Sequence, residues 1–280
     1  VLASMWPLTL LAVVAFKSAK LSGSVVVSDH TTFSQAPLMQ KRSMRWFFKY
    51  SLSLVYPFAN AIVAVSDGVA DDLCGLGGLK RKSITVISNP VEINTNLSTE
   101  EEGYRNWKSH SGKKIIAVGA LKKEKDYPSL LEAFSLLLTK EDAYLTILGK
   151  GDLLTELKAL AVKLEIAERV NFAGFSRKPS AWLAASDLLV LSSNCEGFGN
   201  VLIEAMSVGT PVVSTDCKSG PKEILENGKY GILVPVGDVS ALAKAMCKSI
   251  NGKHDKNILK SRAADFSVDK IAKQYIEAFK

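Results

Sequence analysis

The sequence predicts an α/β protein with two doubly wound parallel sheets, and three observations support this fold class. Short β-branched segments alternate with helical patterns along the chain of 280 residues, which is typical of parallel sheets. Asn89-Pro90 and a polar stretch after residue 92 divide this alternation into two series. The composition, 47% hydrophobic and 22% charged, is that of a globular chain and excludes disordered and collagen-like proteins.

The first series begins with an apolar stretch, residues 1–16, which we predict to be a buried helix. The stretch is shorter than the roughly 20 residues that span a bilayer, and Pro7 interrupts it. A signal-peptide core is the alternative, but no basic region precedes the stretch and no cleavage-like site follows it. Because the chain starts inside this stretch, we expect the natural protein to extend further towards the N-terminus. The strands predicted for this series are residues 24–28, 61–65 and 84–87.

A helical segment between the first two strands, residues 41–58, combines basic and aromatic side chains. They are Lys41, Arg42, Arg45 and Lys49, interleaved with Trp46, Phe47, Phe48 and Tyr50. One interpretation is a helix that lies on an anionic lipid surface. The other is an amphipathic helix that packs its aromatic side chains on the sheet while its basic residues face water. The sequence leaves both open.

The second series is longer and predicts a complete doubly wound unit. We place the domain boundary near residue 93. The expected parts are an incomplete N-terminal Rossmann-like domain (1–92), a C-terminal Rossmann-like domain (93–265) and a closing helix (266–280). The predicted strands are residues 115–119, 144–148, 170–172, 187–191, 211–214 and 232–234, and the predicted helices are 127–138, 153–164, 200–207, 222–227, 239–250 and 268–280.

Charge and cysteine content narrow the class of protein further. The net charge of +7 is compatible with an anionic substrate or membrane surface, and the scattered lysines give no support to nucleic-acid binding. The four cysteines lie far apart, without a CxxC pair or a neighbouring histidine. This spacing indicates neither a zinc site nor a disulfide framework, and it predicts a reducing cytoplasmic location.

The strand predicted at 187–191 ends in a turn that contains Gly197 and Gly199, and a helix follows. Doubly wound sheets bind ligands beyond the carboxyl ends of their strands. The free amides and the dipole of a helix N-terminus favour an anion such as a diphosphate. Glu196 and Glu204 lie on either side of this turn, where carboxylates would accept hydrogen bonds from sugar hydroxyls.

The segment 196–205 resembles the motif of retaining glycosyltransferase family 4, also called glycosyl transferases group 1, in which seven residues separate two glutamates. Further segments resemble that family in order and spacing, so the resemblance covers nearly the whole chain. They are Val65-Ser66-Asp67-Gly68, Val118-Gly119-Ala120-Leu121 followed by Lys125, Leu148-Gly149-Lys150-Gly151, Phe172-Ala173-Gly174-Phe175 and Ser219-Gly220-Pro221-Lys222-Glu223-Ile224.

This resemblance implies a GT-B fold, in which two Rossmann-like domains face a cleft and the C-terminal domain holds a nucleotide-sugar. Glu204 resembles the residue that binds the donor ribose, Glu196 the residue near the transferred sugar, and Lys125 a lysine that neutralises phosphate charge. The backbone of residues 197–200 is expected to bind the sugar and the diphosphate, and residues 172–175 are expected to border the nucleotide base. The implied donor-binding residues are Glu204, Gly197, Phe198, Gly199, Asn200, Val201, Gly119, Phe172, Gly174 and Phe175, and the implied catalytic residues are Glu196, His30 and Lys125.

Two further positions bear on the resemblance. His30 follows a strand at the place where the family often has a histidine near the reacting end of the sugar, which implies that it orients the acceptor; a structural histidine is the alternative. Ala120 replaces an arginine that in the family usually clamps the diphosphate together with the later lysine, so a bidentate phosphate contact is lost. Either Lys122 or Lys123 compensates, or the donor binds more weakly.

Together these features predict a retaining, metal-independent glycosyltransferase without a cofactor. Catalysis would consist mainly of stabilising the leaving diphosphate, for which the helix start at Asn200 and Lys125 supply positive charge, and the sequence has no Asp-x-Asp triplet. The expected partners are a UDP-sugar or GDP-sugar donor, a lipid-linked or saccharide acceptor of cell-surface polysaccharide assembly, and the inner face of an anionic membrane. The alternatives are a non-catalytic nucleotide-sugar or partner-binding module and a sugar-nucleotide epimerase of similar fold.

Overall fold

The computed structural model describes residues 1–36, 39, 41–93, 107 and 110–280. Within these residues the strands form two parallel sheets, one of four strands and one of six. The N-terminal sheet contains β1 (Leu2–Ser4), β2 (Val26–Asp29), β3 (Ala61–Ala64) and β4 (Ile84–Val86). The C-terminal sheet contains β5 (Lys113–Val118), β6 (Ala143–Leu148), β7 (Val170–Gly174), β8 (Leu188–Leu191), β9 (Val212–Thr215) and β10 (Ile232–Val234).

Helices connect the strands of each sheet, as the predicted alternation requires. Those of the N-terminal part are α1 (Leu8–Ser18), α2 (Arg42–Val55) and α3 (Asp67–Gly77). Those of the C-terminal part are α4 (Tyr127–Leu138), α5 (Leu154–Lys163), α6 (Pro179–Ala184), α7 (Asn200–Ser207), α8 (Pro221–Ile224), α9 (Val239–Asn251), α10 (Lys256–Ala264) and α11 (Val268–Ala278).

The first sixteen residues do not form the single buried helix that we predicted. Residues Leu2–Ser4 form an edge strand in register with β2, and the helix begins only after Pro7. Proline has no amide hydrogen and is tolerated at the start of a helix but not inside one, so it separates the two elements. The helix also buries little: Leu8 and Leu11 are more than 60% exposed.

The closing helix α11 returns to the N-terminal sheet instead of finishing the C-terminal one. Its Ile271 is buried against Val26, Val63 and Ile87, which face the side of the sheet away from the main core. The Ser24 hydroxyl also donates to the Phe279 carbonyl oxygen at 2.9 Å. The C-terminal helix therefore packs on the N-terminal sheet and shares an apolar layer with it.

The C-terminal sheet has the strand order β10-β9-β8-β5-β6-β7. The chain builds outward from β5 to β7, then crosses back and builds from β8 to β10 on the other side. In such a sheet the ligand site lies where the order reverses, beyond the carboxyl ends of the two central strands. Here those strands are β5 and β8, so the ligand site is expected at the loops that follow them.

The predicted strands and most helices of this half agree with the structure, with one helix shorter than expected. We predicted a helix over 222–227, but α8 ends at Ile224. Glu226 and Asn227 have positive φ angles of 44° and 57°, which cannot continue a right-handed helix.

Part of the predicted boundary between the two halves lies outside the described residues. This applies to Asn94, Asn96, Ser98 and Glu100–Glu102. Ahead of them, Val91 pairs with Ser267 in a parallel bridge, and its amide donates to the Phe266 carbonyl oxygen at 2.9 Å. The chain therefore passes between the sheets at residues 89–93 in contact with the segment just before α11.

Candidate functional site

The loop after β8 brings the start of helix α7 to the reversal point of the sheet. Gly199 is the N-cap of α7, with a φ of 101°, and no side chain caps the helix. This left-handed conformation favours glycine. Phe198 just before it is 3% exposed and packs edge-to-face on Phe266, so its side chain anchors the turn in the core. An uncapped helix start is suited to an anion.

The loop after β5 contributes Lys125, which forms an ion pair with Glu196 of the neighbouring loop. The distance from Lys125 Nζ to Glu196 Oε1 is 2.6 Å. Ser193 donates to the same oxygen at 2.6 Å, and the Ser192 hydroxyl donates to the Lys125 carbonyl oxygen at 2.7 Å. The Tyr127 hydroxyl donates to the Gly119 carbonyl oxygen at 2.9 Å. The Lys125–Glu196 and Ser192–Lys125 bonds join the two loops. The four bonds together hold three predicted site residues, Gly119, Lys125 and Glu196, in one place.

Glu204, one turn into α7, lies at a separate opening. It lines a cavity of about 400 Å³, and burial raises the pKa of its carboxyl above the usual value. Glu196 is not part of this lining. The other lining residues come from α6 and the loop before it, from α7 and from the segment between the sheets: Arg177, Lys178, Pro179, Ser180, Ala181, Asn200, Ser207, Pro90, Val91 and Glu92.

The stretch expected to edge the base lies next to this cavity in sequence but does not line it. Phe172 packs against the C-terminal core, while Phe175 is 66% exposed. Gly174 has a φ of 75°, and its carbonyl oxygen accepts from the Gly149 amide at 2.8 Å. The lining begins two residues beyond Phe175, at Arg177. Arg177 and Lys178 were not predicted as site residues, because a basic pair in a loop is ordinarily a solvated surface feature.

His30 lies at the boundary between the two halves, where both of its ring nitrogens are engaged. Nε2 is 3.1 Å from Ser28 Oγ, and Nδ1 is 2.9 Å from Asn89 Oδ1. Asn89 Nδ2 in turn donates to Asn200 Oδ1 at 3.1 Å. Burial lowers the pKa of His30. The structure thus connects His30 through Asn89 to the start of α7, while its predicted part in acceptor orientation stays a prediction.

Two hydroxyl groups of the N-terminal half bind the backbone of the Glu196 loop. Thr32 donates to the Glu196 carbonyl oxygen and Ser66 to that of Gly197, each at 2.9 Å. A Cβ at residue 197 would overlap the His30 carbonyl oxygen, so only glycine permits this approach. We did not single out Thr32 or Ser66 as site residues. The motif that contains Ser66 was the available signal.

Two of the matched motifs meet across the interface. The carboxylate of Glu223 accepts from the backbone amides of Asp67 and Gly68, at 3.0 and 3.4 Å. These amides belong to the first turn of α3, where a carboxylate offsets the helix dipole. The Ser66-Asp67-Gly68 and Ser219–Ile224 segments are thus partners in one interdomain contact.

The packing of segment 41–58 fits only in part the interpretation in which its aromatic side chains pack on the sheet, and the lipid-surface interpretation stays a prediction. Phe48 and Leu52 are fully buried, but Trp46 and Phe47 are more than half exposed. One stripe of α2 carries the exposed residues Arg42, Arg45, Trp46, Lys49 and Tyr50, which we call the basic aromatic face. Most of the aromatic residues therefore do not pack on the sheet. No helix of the described residues is long and apolar enough to cross a bilayer.

Two family models together cover most of the chain. Residues 100–266 match the model described as glycosyl transferases group 1, and residues 1–95 match the one described as glycosyltransferase family 4. Because the first match spans more than half of the chain, it shows the family.

Named glycosyltransferases are among the relatives of this chain. An N-acetylgalactosamine-N,N'-diacetylbacillosaminyl-diphospho-undecaprenol 4-alpha-N-acetylgalactosaminyltransferase of Campylobacter jejuni is 32% identical over 235 residues, which cover 82% of this chain and 62% of the relative. The lipopolysaccharide core biosynthesis glycosyltransferase LpsE of Rhizobium meliloti is 30% identical over 216 residues, 77% of this chain and 60% of the relative. The chain thus spans about six tenths of the length of these relatives.

Solved structures show the same fold. HepE of Anabaena in complex with UDP aligns with a TM-score of 0.83 at 22% identity, over 99% of this chain and 77% of HepE. The lipopolysaccharide outer core galactosyltransferase WaaB aligns with a TM-score of 0.72 at 25% identity, over 96% of this chain and 71% of WaaB. The predicted fold is confirmed: the chain has the GT-B architecture and belongs to the glycosyl transferases group 1 family.

Proposed function

We propose that this chain transfers a sugar from a nucleoside diphosphate sugar, with retention of anomeric configuration and without a metal ion. The observation that carries the proposal is the Lys125–Glu196 pair beside the uncapped start of α7, at the reversal point of the sheet. Transfer leaves negative charge on the departing diphosphate. A lysine and a helix N-terminus supply opposite charge at the place where such sheets bind nucleotides.

The residues around this point divide the work. Lys125 and Glu196 pair with each other across the two loops. On donor binding, Lys125 would contact the diphosphate, and Glu196 would accept hydrogen bonds from sugar hydroxyls. Glu204 would accept from the ribose at the 400 Å³ cavity, as its place in the family motif implies. Since Ala120 provides no charge, Lys125 would carry more of the phosphate contact here than in relatives with an arginine, with Lys122 and Lys123 nearby in the same loop.

The ligands and names of similar proteins support one class of donor and one class of acceptor. HepE was solved with UDP and with UDP-glucose, which favours a UDP-sugar over a GDP-sugar. The Campylobacter relative is named for a diphospho-undecaprenol acceptor, and the Rhizobium relative for lipopolysaccharide core biosynthesis. We infer that the acceptor is a lipid-linked saccharide of cell-surface glycan assembly.

Donor binding is tested first by a thermal-shift assay with UDP, GDP, ADP and the common nucleotide sugars of each, in buffer that contains EDTA to remove metal ions. A ligand that binds only the native state raises the melting temperature. We expect the melting temperature to rise with one nucleotide series and this rise to be absent in Glu204→Ala. We also expect the chain to transfer sugar from the matching nucleotide sugar in the presence of EDTA. The absence of any thermal shift with a folded chain would contradict the proposal. A strict requirement of transfer for a metal ion would contradict metal independence. Donor binding without turnover towards any lipid-linked acceptor would favour a non-catalytic binding module. Anomeric retention is read from the NMR coupling of the product.

We further propose that the basic aromatic face of α2 contacts an anionic membrane on the cytoplasmic side. Neither α1 nor α2 contains an acidic residue. Trp6, just before α1, packs edge-to-face on Phe47 of α2, with 6.2 Å between the ring centroids. Leu8 and Leu11 of α1 are also exposed. Aromatic and basic side chains on one helix face suit the headgroup region of anionic lipid.

Liposome flotation tests this contact. Vesicles of phosphatidylcholine with phosphatidylglycerol should retain the chain, and neutral vesicles should retain it far less. Replacing Lys41, Arg42, Arg45 and Lys49 by glutamine should abolish retention. The matched control replaces Lys244, Lys248, Lys253 and Lys256, four exposed lysines of the C-terminal half, which makes the same change in net charge. Equal loss in both variants would show a non-specific charge effect and contradict the proposed face.

A further inference from the structure

Five polar side chains form a continuous hydrogen-bonded chain from the closing helix to the donor helix. Tyr275 Oη is 3.0 Å from Ser28 Oγ, which is 3.1 Å from His30 Nε2. His30 Nδ1 is 2.9 Å from Asn89 Oδ1, and Asn89 Nδ2 is 3.1 Å from Asn200 Oδ1. The chain crosses from the N-terminal half to the first residue of α7.

The direction of these bonds follows from the Asn89 amide. Its NH₂ group donates to Asn200, so its oxygen faces His30 and accepts the Nδ1 hydrogen. Nε2 is then an acceptor, which receives the Ser28 hydroxyl hydrogen, and Ser28 accepts from Tyr275. His30 is thereby neutral with its hydrogen on Nδ1, which agrees with the lowering of its pKa by burial.

The backbone at Asn89 favours a fixed position for this side chain. Asn89 precedes Pro90, and a residue before proline is restricted to extended conformations. Pro90 also lines the cavity that contains Glu204 and Asn200. The amide is therefore held between the two halves at the edge of the candidate donor site.

We propose that Asn89 is a positioning residue that couples His30 of the N-terminal half to Asn200 at the start of the donor-binding helix. By holding the Asn200 side chain, it keeps the first turn of α7 in place for the diphosphate. By accepting from Nδ1, it sets the tautomer and orientation of His30. The coupling to donor binding rests on the proposed function, whereas the bond to His30 does not.

The tautomer of His30 is the first test, because a purely space-filling role of Asn89 would not influence it. The chain has three histidines, so imidazole ¹⁵N spectra are simple, and His30→Gln assigns the His30 signals. We expect the Nδ1–H form in the wild type and its loss in Asn89→Ala. Asn89→Asp keeps the acceptor and should retain it, and the remote Asn251→Ala should leave it unchanged. An Nε2–H form in the folded wild type would overturn the proposal.

The coupling to the donor helix is tested by a double-mutant cycle on UDP affinity, measured by calorimetry. We expect Asn89→Ala to weaken UDP binding about 5- to 10-fold, the usual effect of losing a hydrogen bond near a charged ligand. His30→Ala should weaken it about threefold in the wild type but less than twofold in Asn89→Ala, since coupled residues are not additive. Additive effects would overturn the coupling. If neither UDP nor GDP binds the wild type, the proposed function fails, and the tautomer still decides the Asn89–His30 link.

Discussion

Lys125 Nζ lies 2.6 Å from Glu196 Oε1 and joins the loops that follow the two central strands of the C-terminal sheet. Both side chains are largely buried, at 24% and 11% exposure, so water screens this pair less than a surface ion pair. Each side chain is the other's counter-charge. Donor binding would exchange that contact for two new ones, to phosphate and to sugar.

Removing the lysine should therefore impair transfer more than folding. We expect Lys125→Ala to lower kcat/KM about 100-fold or more, the usual cost of losing a group that stabilises a developing negative charge. Steady-state kinetics with the active sugar nucleotide measures this, and Lys140→Ala, an exposed lysine just after α4, is the control. Transfer within a few-fold of the wild type in Lys125→Ala would contradict the assigned role.

Ser193 should act through Glu196 and not through the nucleotide. Without its hydrogen bond of 2.6 Å to Glu196 Oε1, the carboxylate loses one of its two fixed contacts. We expect Ser193→Ala to lower kcat/KM about tenfold, in the range for a hydrogen bond to a charged group, while UDP affinity changes less than about twofold. Ser135→Ala on the exposed side of α4 is the control. An equal loss of UDP affinity would show that Ser193 acts on the nucleotide instead.

Asp29 should make stability depend on pH. It is fully buried at the end of β2, and burial raises its pKa from 3.8 to about 6 in spite of the Tyr56 hydroxyl, which donates to it at 2.6 Å. Because the native state holds this proton more tightly than the unfolded state, the stabilisation is complete below pH 3.8 and is lost as the pH rises through 6. The loss amounts to about 3 kcal/mol.

The variant Asp29→Asn cannot ionise and should lack this dependence. Its free energy of unfolding, measured by urea titration at several pH values, should rise relative to that of the wild type by about 2 kcal/mol between pH 4 and pH 7.5, because part of the loss has already occurred at pH 4. All other carboxyl groups are common to both proteins, so the difference isolates Asp29. Parallel pH profiles for the two proteins would contradict the raised pKa.

Alanine substitution of two nearby aromatic residues of α2 should change the free energy of unfolding to different extents. Phe48 is fully buried and Trp46 is 63% exposed. We expect Phe48→Ala to cost about 3–5 kcal/mol of unfolding free energy through cavity formation, whereas Trp46→Ala should change it by no more than about 0.5 kcal/mol. In liposome flotation Trp46→Ala should bind less than the wild type. A large loss of stability in Trp46→Ala would contradict an exposed, membrane-facing role.

The alternation of strands and helices was predictable because it depends on local side-chain periodicity. The same is true of the turn at Gly197 and Gly199, since glycines between a strand and a helix point to an approach of the backbone to a ligand. The strand Leu2–Ser4 was not predictable from its own residues. It forms by pairing with Val26–Ser28, a partner more than twenty residues away.

Some candidate site residues could be predicted from the sequence, and others could not. Glu196, Glu204 and Lys125 were predicted as site residues because each belongs to a recognisable motif. Asn89 was noted only as a turn residue, since a lone asparagine before proline carries no sign of what its amide contacts. Its partners, His30 and Asn200, are 59 and 111 residues away, and only folding brings the three together.

The sequence by itself determined the two-sheet α/β class, the family and the residue types at the sheet's ligand edge, because these follow from short-range pattern and motif order. The tertiary structure alone decided which side chains meet. It paired Lys125 with Glu196, set Glu223 on the first turn of α3, returned α11 to the first sheet and left Trp46 in solvent. Such contacts join positions far apart in the chain, and they depend on strand order and domain apposition, which no local pattern encodes.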